Sequence, residues 1–178
     1  MSSYTYEVEV PTQRERVIDL LSDPFLLSGV FGHVSILQAF DQNSQEFVSP
    51  DSLSSPATRF KVIYVFGTPE SYHASLGYLR GPEISAGEVK YSGATFDGKF
   101  EFEIHFFLTP IDDNKTRVSI SVNTKYKTSA LARLFGRSEF DLATHIVEGH
   151  IIPFFKFYFR PSEEIEVNKI EVASDCLL

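Results

Sequence analysis

Tryptophan is absent from this 178-residue chain, and methionine and cysteine occur once each. The lone thiol, Cys176, cannot close an internal disulfide, so the fold must stand on its core. Long apolar runs are missing as well. Nothing approaches the ~18–20 residues that a membrane span requires, and the densest stretch, Ile151 to Phe159, is interrupted by Pro153 and Lys156. The opening residues, Met1 to Glu7, have neither the basic region nor the apolar region of a secretory signal. Positive charge is also scarce: 16 Lys and Arg stand against 24 Asp and Glu, for a formal net charge of −8. Without a basic stripe, phosphate backbones and anionic membrane surfaces make poor partners. These absences lead to the expectation of a soluble cytoplasmic protein with no nucleic-acid partner and no stable membrane anchor.

What the chain does have is rings: 17 Phe and 8 Tyr. Its length suits a single domain with one sizeable core. We place that domain over residues 1–160 and a tail over 161–178. Tyr4, Tyr6, Val8 and Val10 alternate, predicting a first strand that ends at Pro11. Thr12-Gln13-Arg14-Glu15 matches a capping box opening a helix. Asp23-Pro24 then caps a second short helix, expected over about Pro24 to Ser28 and ending at Gly29. From His33 the period becomes two. Val34, Ile36, Gln38 and Phe40 alternate, as do Phe60, Val62, Tyr64 and Phe66. Tyr72, Ala74, Leu76 and Tyr78 follow, then Val89 and Tyr91. The cleanest strand runs from Lys99 to Leu108, with Phe100, Phe102, Ile104, Phe106 and Leu108 on one side. Val118, Ile120, Val122, Thr124 and Tyr126 share a face of the next. Short polar turns such as Asp97-Gly98 and Asp112-Asp113-Asn114 make this an antiparallel meander with one dry face.

The stretch from Ser129 to Phe159 reads as a long amphipathic closing helix. Gly136 interrupts it, Ser138 to Asp141 offers a second start, and Pro153 predicts a bend facing the carbonyl of Gly149. The five histidines, His33, His73, His105, His145 and His150, show no metal-ligand spacing along the chain. No nucleophile elbow or phosphate loop is present either. Neither a metal nor a cofactor is expected.

The order of strand, two short helices, antiparallel strands and one long closing helix resembles the START-like (Bet v 1-like, SRPBCC) superfamily. The segments that carry the likeness are Tyr6 to Pro11, Asp23-Pro24, and His145-Ile146-Val147-Glu148 through Ile152-Pro153. The scarcity of Trp, Met and Cys is similar to small archaeal members. The resemblance implies an α+β helix-grip fold, a curved antiparallel sheet with two short N-terminal helices and a long C-terminal helix over a cavity. It also implies a ligand: members bind lipids, sterols or polyketides there, some act as cyclases or hydrolases, and others serve as recruiting or assembly subunits.

Within that fold the dry face looks at the closing helix. Phe60, Tyr64, Tyr72, Tyr78, Tyr91, Phe102 and Phe106 are then the expected cavity wall. His145, near the apolar stripe of the helix, is a candidate to bond a ligand carbonyl or carboxylate; His150 is rotated away and Glu148 faces solvent. Buried Tyr hydroxyls need partners, which favours a lined cavity over a dry core. The expected function is binding or transport of a small hydrophobic, lipid- or fatty-acid-like molecule. A cyclase or hydrolase using the tyrosines and His145, and an assembly subunit, are the alternatives.

Overall fold

The computed structural model describes residues 2–68, 71–126 and 142–159, and the side chains of all these except 2, 66–68, 71–73 and 126. Eight strands form one antiparallel sheet: β1 (Ser2–Val10), β2 (Val34–Asp41), β3 (Glu46–Val48), β4 (Arg59–Thr68), β5 (Ser71–Ser85), β6 (Glu88–Thr95), β7 (Phe100–Asp112) and β8 (Lys115–Tyr126). Across the sheet they lie in the order β1-β8-β7-β6-β5-β4-β2-β3. The chain therefore crosses from the β1 edge to the strand next to the opposite edge between β1 and β2, and two helices make that crossing: α1 (Arg14–Leu21) and α2 (Pro24–Phe31). A third helix, α3 (142–158), closes the described chain. The expected order of elements is the observed one. Gly136, Ser138 to Asp141 and the tail 161–178 lie outside the described residues.

Local chemistry departs from expectation at four places. The capping box at Thr12 does not form: Gln13 is the N-cap, with no side-chain cap bond. Thr12 instead offers its carbonyl to the Thr116 hydroxyl at 2.8 Å, and Glu15 pairs with Arg14 at 2.9 Å. Asp23 caps α2 as expected, accepting from the amides of Phe25 and Leu26 at 2.9 and 3.2 Å. The helix passes Gly29 and ends at Gly32, whose φ of +62° is the left-handed conformation that a C-terminal glycine adopts without penalty. In β2 the pairing slips between Ile36 and Gln38. A bulge adds one residue and reverses the later side chains, so Ala39 and Asp41 are buried while Phe40 lies under the Arg59 guanidinium, 3.6 Å from its ring centre.

The fourth departure concerns β5, whose faces are opposite to those expected. Leu76 and Tyr78 are exposed, and the inward positions are Gly77, Leu79 and Gly81. The register explains it. Phe60 pairs with Leu79, Leu79 with Gly93, and Gly93 with Phe102, so one inward row crosses four strands. Inward glycines, Gly93 in that row and Gly77 in the next, make room for the rings around them. A Cβ on Gly77 would lie 2.7 Å from the Tyr64 ring, and one on Gly93 would collide with the Tyr64 hydroxyl and the Phe102 ring.

Helices α1, α2 and α3 cover the inward face. Val17 and Leu21 of α1, Leu27 and Phe31 of α2, and Ile146, Val147, Ile151, Ile152 and Phe155 of α3 are buried against it. Phe31 meets Phe102 at 6.0 Å between ring centres.

Candidate functional site

Five of the eight residues expected at the site do share the inward face: Phe60, Tyr64, Tyr91, Phe102 and Phe106, none more than 6% exposed. Their rings interlock. Tyr64 sits edge-on to Phe100 and Phe102, with ring centres at 5.7 and 5.9 Å, and Phe25 is edge-on to Phe60 at 5.9 Å. Both tyrosine hydroxyls are satisfied by main chain: Tyr64 donates to the Tyr78 carbonyl at 2.6 Å and Tyr91 to the Leu21 carbonyl at 2.7 Å. Burial raises the pKa of both phenols. Neither hydroxyl therefore needs a ligand, and neither is poised for acid–base work. Tyr78 lies on the outward face, 37% exposed. The side chain of Tyr72 lies outside the described set.

Space opens at one end of the domain. An open groove of about 800 Å³ runs between the Pro11–Thr12 turn, Arg16, Asp19 and Leu20 of α1, Asp23 and Leu26 at the start of α2, and Tyr158 and Phe159 at the end of α3. Beneath it, Leu20 and Leu26 also border an apolar crevice that reaches inward past Phe154 and Phe155 to Phe106. That crevice holds about 10 Å³, room for about one water. Arg16 and Asp19 supply opposite charges on the rim. The Asp23 carboxylate is occupied in capping α2.

His145 is not beside the groove. It meets His33 and His150 where α2 gives way to β2, and this cluster was not visible as spacing along the chain. His33 Nε2 and His150 Nε2 each lie 3.2 Å from His145 Nε2. One ring nitrogen from each residue falls within 4.8 Å of the other two. The backbone of α3 is what brings the pair together. Five residues span about 140° beyond a full turn of α-helix, which is why His150 was expected to point away. But 145–151 is wound as a π-helix between α-helical Leu142–Thr144 and Ile152–Tyr158. Its hydrogen bonds close five residues back, as the Ile152 amide does to the Val147 carbonyl. Residues 145 and 150 thus come to the same side, ring centres 4.9 Å apart. Pro153 follows with no N–H to return the ladder to α spacing at Gly149. The disturbance expected of that proline takes the form of a widened turn.

Burial, and then the neighbouring His33 and His145 rings, lower the pKa of His150 from 6.5 to about 4. Burial also lowers that of His33, against the opposing pull of the Val65 carbonyl. Glu148, one turn away on the exposed side, accepts a hydrogen bond from the Tyr4 hydroxyl.

No family model matches the chain, and no curated protein matches it. Solved structures match in shape. A START superfamily protein from Mycobacterium smegmatis superposes with a TM-score of 0.55 at 13% identity, covering 89% of this chain and 97% of its own. A protein from Deinococcus radiodurans gives 0.53 at 9% identity, covering 89% and 98%. The Zhui aromatase/cyclase from Streptomyces sp. R1128 gives 0.47 at 11%, covering 85% and 84%. At such identities the likeness is one of fold: this chain has the START-like helix-grip fold. None of the three comes from an archaeon, and the narrower likeness to archaeal members gains no support from them.

Proposed function

We propose that the chain binds a small hydrophobic, lipid-like molecule at the open end of the domain, between the α1–α2 pair and the end of α3. The observation that supports this is that the 800 Å³ groove and the apolar crevice share Leu20 and Leu26 in their walls. Ligand sites are commonly concave spaces of ~300–1,000 Å³ with apolar walls and a few polar groups that fix orientation. The groove offers Leu20, Leu26, Tyr158 and Phe159 as its apolar part, and Thr12, Arg16, Asp19 and Asp23 as its polar part, with Arg16 the cation that would take an acidic head. Covering ~300–400 Å² of ligand apolar surface yields about 8–10 kcal/mol gross at ~25 cal/mol/Å². Lost ligand freedom cancels about half of that, which leaves about 4–5 kcal/mol, a dissociation constant of roughly 0.2–1 mM. This reading moves the expected wall from the interlocked rings of the sheet to the helical rim.

Titration with a fluorescent fatty acid tests it, comparing the wild type with Leu26→Asp in the groove and Leu37→Asp on the exposed surface of β2. Leu26 is only half-buried, so its substitution should leave the melting temperature close to the parent. We expect submillimolar or tighter binding by wild type and Leu37→Asp, and at least tenfold weaker binding by Leu26→Asp. Equal affinity in all three, or none in the wild type, would overturn the proposal.

A further inference from the structure

We propose that His33, His145 and His150 form a binding site for a first-row divalent cation of the zinc class. The site is separate from the groove and from the ligand proposed there. Three observations bear on it. The first is distance. In a tetrahedral site with Zn–N bonds of ~2.0–2.1 Å, neighbouring ligand nitrogens stand roughly 3.3 Å apart. Both His145 contacts, to His33 and to His150, measure 3.2 Å. One ring nitrogen from each residue lies within 4.8 Å of the other two, so the edge between His33 and His150 is the one that must close on binding.

The second observation is tautomer. His33 Nδ1 lies 3.1 Å from the Val65 carbonyl oxygen. A carbonyl can only accept, so Nδ1 carries the proton and Nε2 presents its lone pair to the other two rings. A ring N–H donated to a main-chain carbonyl is how metal-binding histidines are usually oriented. The consequence for the trio follows from counting protons. A single Nε2–H on His145 can serve one of its two neighbours properly. If His150 donates to His145 instead, the His145 and His33 lone pairs face each other. One of the two short contacts thus lacks a proton of its own while all three rings are neutral. A cation accepting one lone pair from each ring removes the conflict.

The third observation is construction. The cluster draws on two distant parts of the chain: His33 follows the left-handed Gly32 at the end of α2, and the other two come from the π turn. Gly32 and Gly149 leave room for the rings, since a Cβ on Gly32 would stand 3.1 Å from His150 Cε1 and one on Gly149 3.3 Å from His145 Cε1. Imidazole sets suit zinc, copper and nickel far better than calcium or magnesium. Three imidazoles leave a fourth position for water or another oxygen donor, as in catalytic rather than structural zinc sites.

The test is competition titration of the chelator-stripped full chain with Zn²⁺, using a chromophoric chelator, alongside Co²⁺ absorption spectra. We expect one Zn²⁺ per chain with micromolar or tighter affinity, and an intense visible Co²⁺ spectrum of the tetrahedral kind. His33→Ala and His145→Ala should each weaken binding by more than the ~10–100-fold typical of losing an outer partner. His105→Ala should not, because that ring is engaged by Glu88 and Glu103 on the outer face of the sheet. Affinity should fall as pH drops, since protons compete for the same lone pairs. Should the alanine variants fail to fold, ¹⁵N shifts of the wild-type imidazoles on Zn²⁺ addition decide: changes at the Nε2 atoms of these three rings support the site. Unchanged shifts, no 1:1 binding below about millimolar Zn²⁺, or undiminished affinity in folded His33 and His145 variants would overturn it.

Discussion

Tyr91 joins the sheet to the helical layer through one buried hydrogen bond. Leu21 is the last residue of α1, and its carbonyl is among those a helix end leaves without an internal partner. The Tyr91 hydroxyl, rising from β6, supplies one. Removing it in Tyr91→Phe leaves that carbonyl unsatisfied, and we expect a loss of about 1–2 kcal/mol, read as a lower urea midpoint with an unchanged slope. Unaltered stability would mean that water reaches the carbonyl. The same residue shows what was legible in the chain and what was not. Strand alternation placed Tyr91, Tyr64, Phe60, Phe102 and Phe106 on the inward face correctly. The partners of their hydroxyls are main-chain carbonyls fixed by packing between distant elements, and alternation says nothing about those. On β5 the signal misled, because Leu76 and Tyr78 form the more hydrophobic set. Their inward counterparts include Gly77 and Gly81, small because rings from adjacent rows occupy the space. Hydrophobicity marks a strand's buried face only where that strand's own side chains fill it; here rings from neighbouring strands do.

At the scale of the element, α3 owes its character to one turn. An α-helical period separates His145 from His150, and the π turn brings them together. We attribute the persistence of that turn to Pro153, which offers no amide to the Gly149 carbonyl. In Pro153→Ala the restored N–H permits α spacing, and His150 should rotate away from His145. The expected outcome is a shift of the His145 and His150 Cε1 proton resonances with a melting temperature at or above the parent's. Unchanged histidine resonances would show that the turn is held by its packing alone. The trio also sets a pH dependence. Because the folded-state pKa of His150 is depressed from 6.5 to about 4, unfolded chains take up a proton that native chains refuse. Stability is therefore full above pH ~6.5, declines as pH falls toward ~4, and is flat with respect to this group below that. The burial of His33 adds to the decline in the same sense. In chelator, His150→Gln should lose less stability than the wild type between pH 6.5 and 4. Parallel curves would remove His150 as the cause. None of this could be read from residue numbers, because a wound-out turn has no sequence period of its own.

At the scale of the molecule, the order of elements was readable because each step has a local cause: Asp23-Pro24 at a helix start, Asp97-Gly98 at a hairpin, Phe alternation along β7. The position of open space was not. A long aromatic face suggested a hollow under the closing helix, whereas the described rings fill the middle of that face. An open groove lies instead where the helix ends converge. No described helix is long and apolar enough to cross a membrane. The central claim is that an apolar guest enters from that helical end. Backbone amide shift mapping of the ¹⁵N-labelled chain during titration with a medium-chain fatty acid tests it most directly. The account predicts saturable changes concentrated at Arg16, Leu20, Leu26, Phe154 and Phe159. Changes centred on Phe60, Tyr64 and Phe102, or none at saturating ligand, would contradict it.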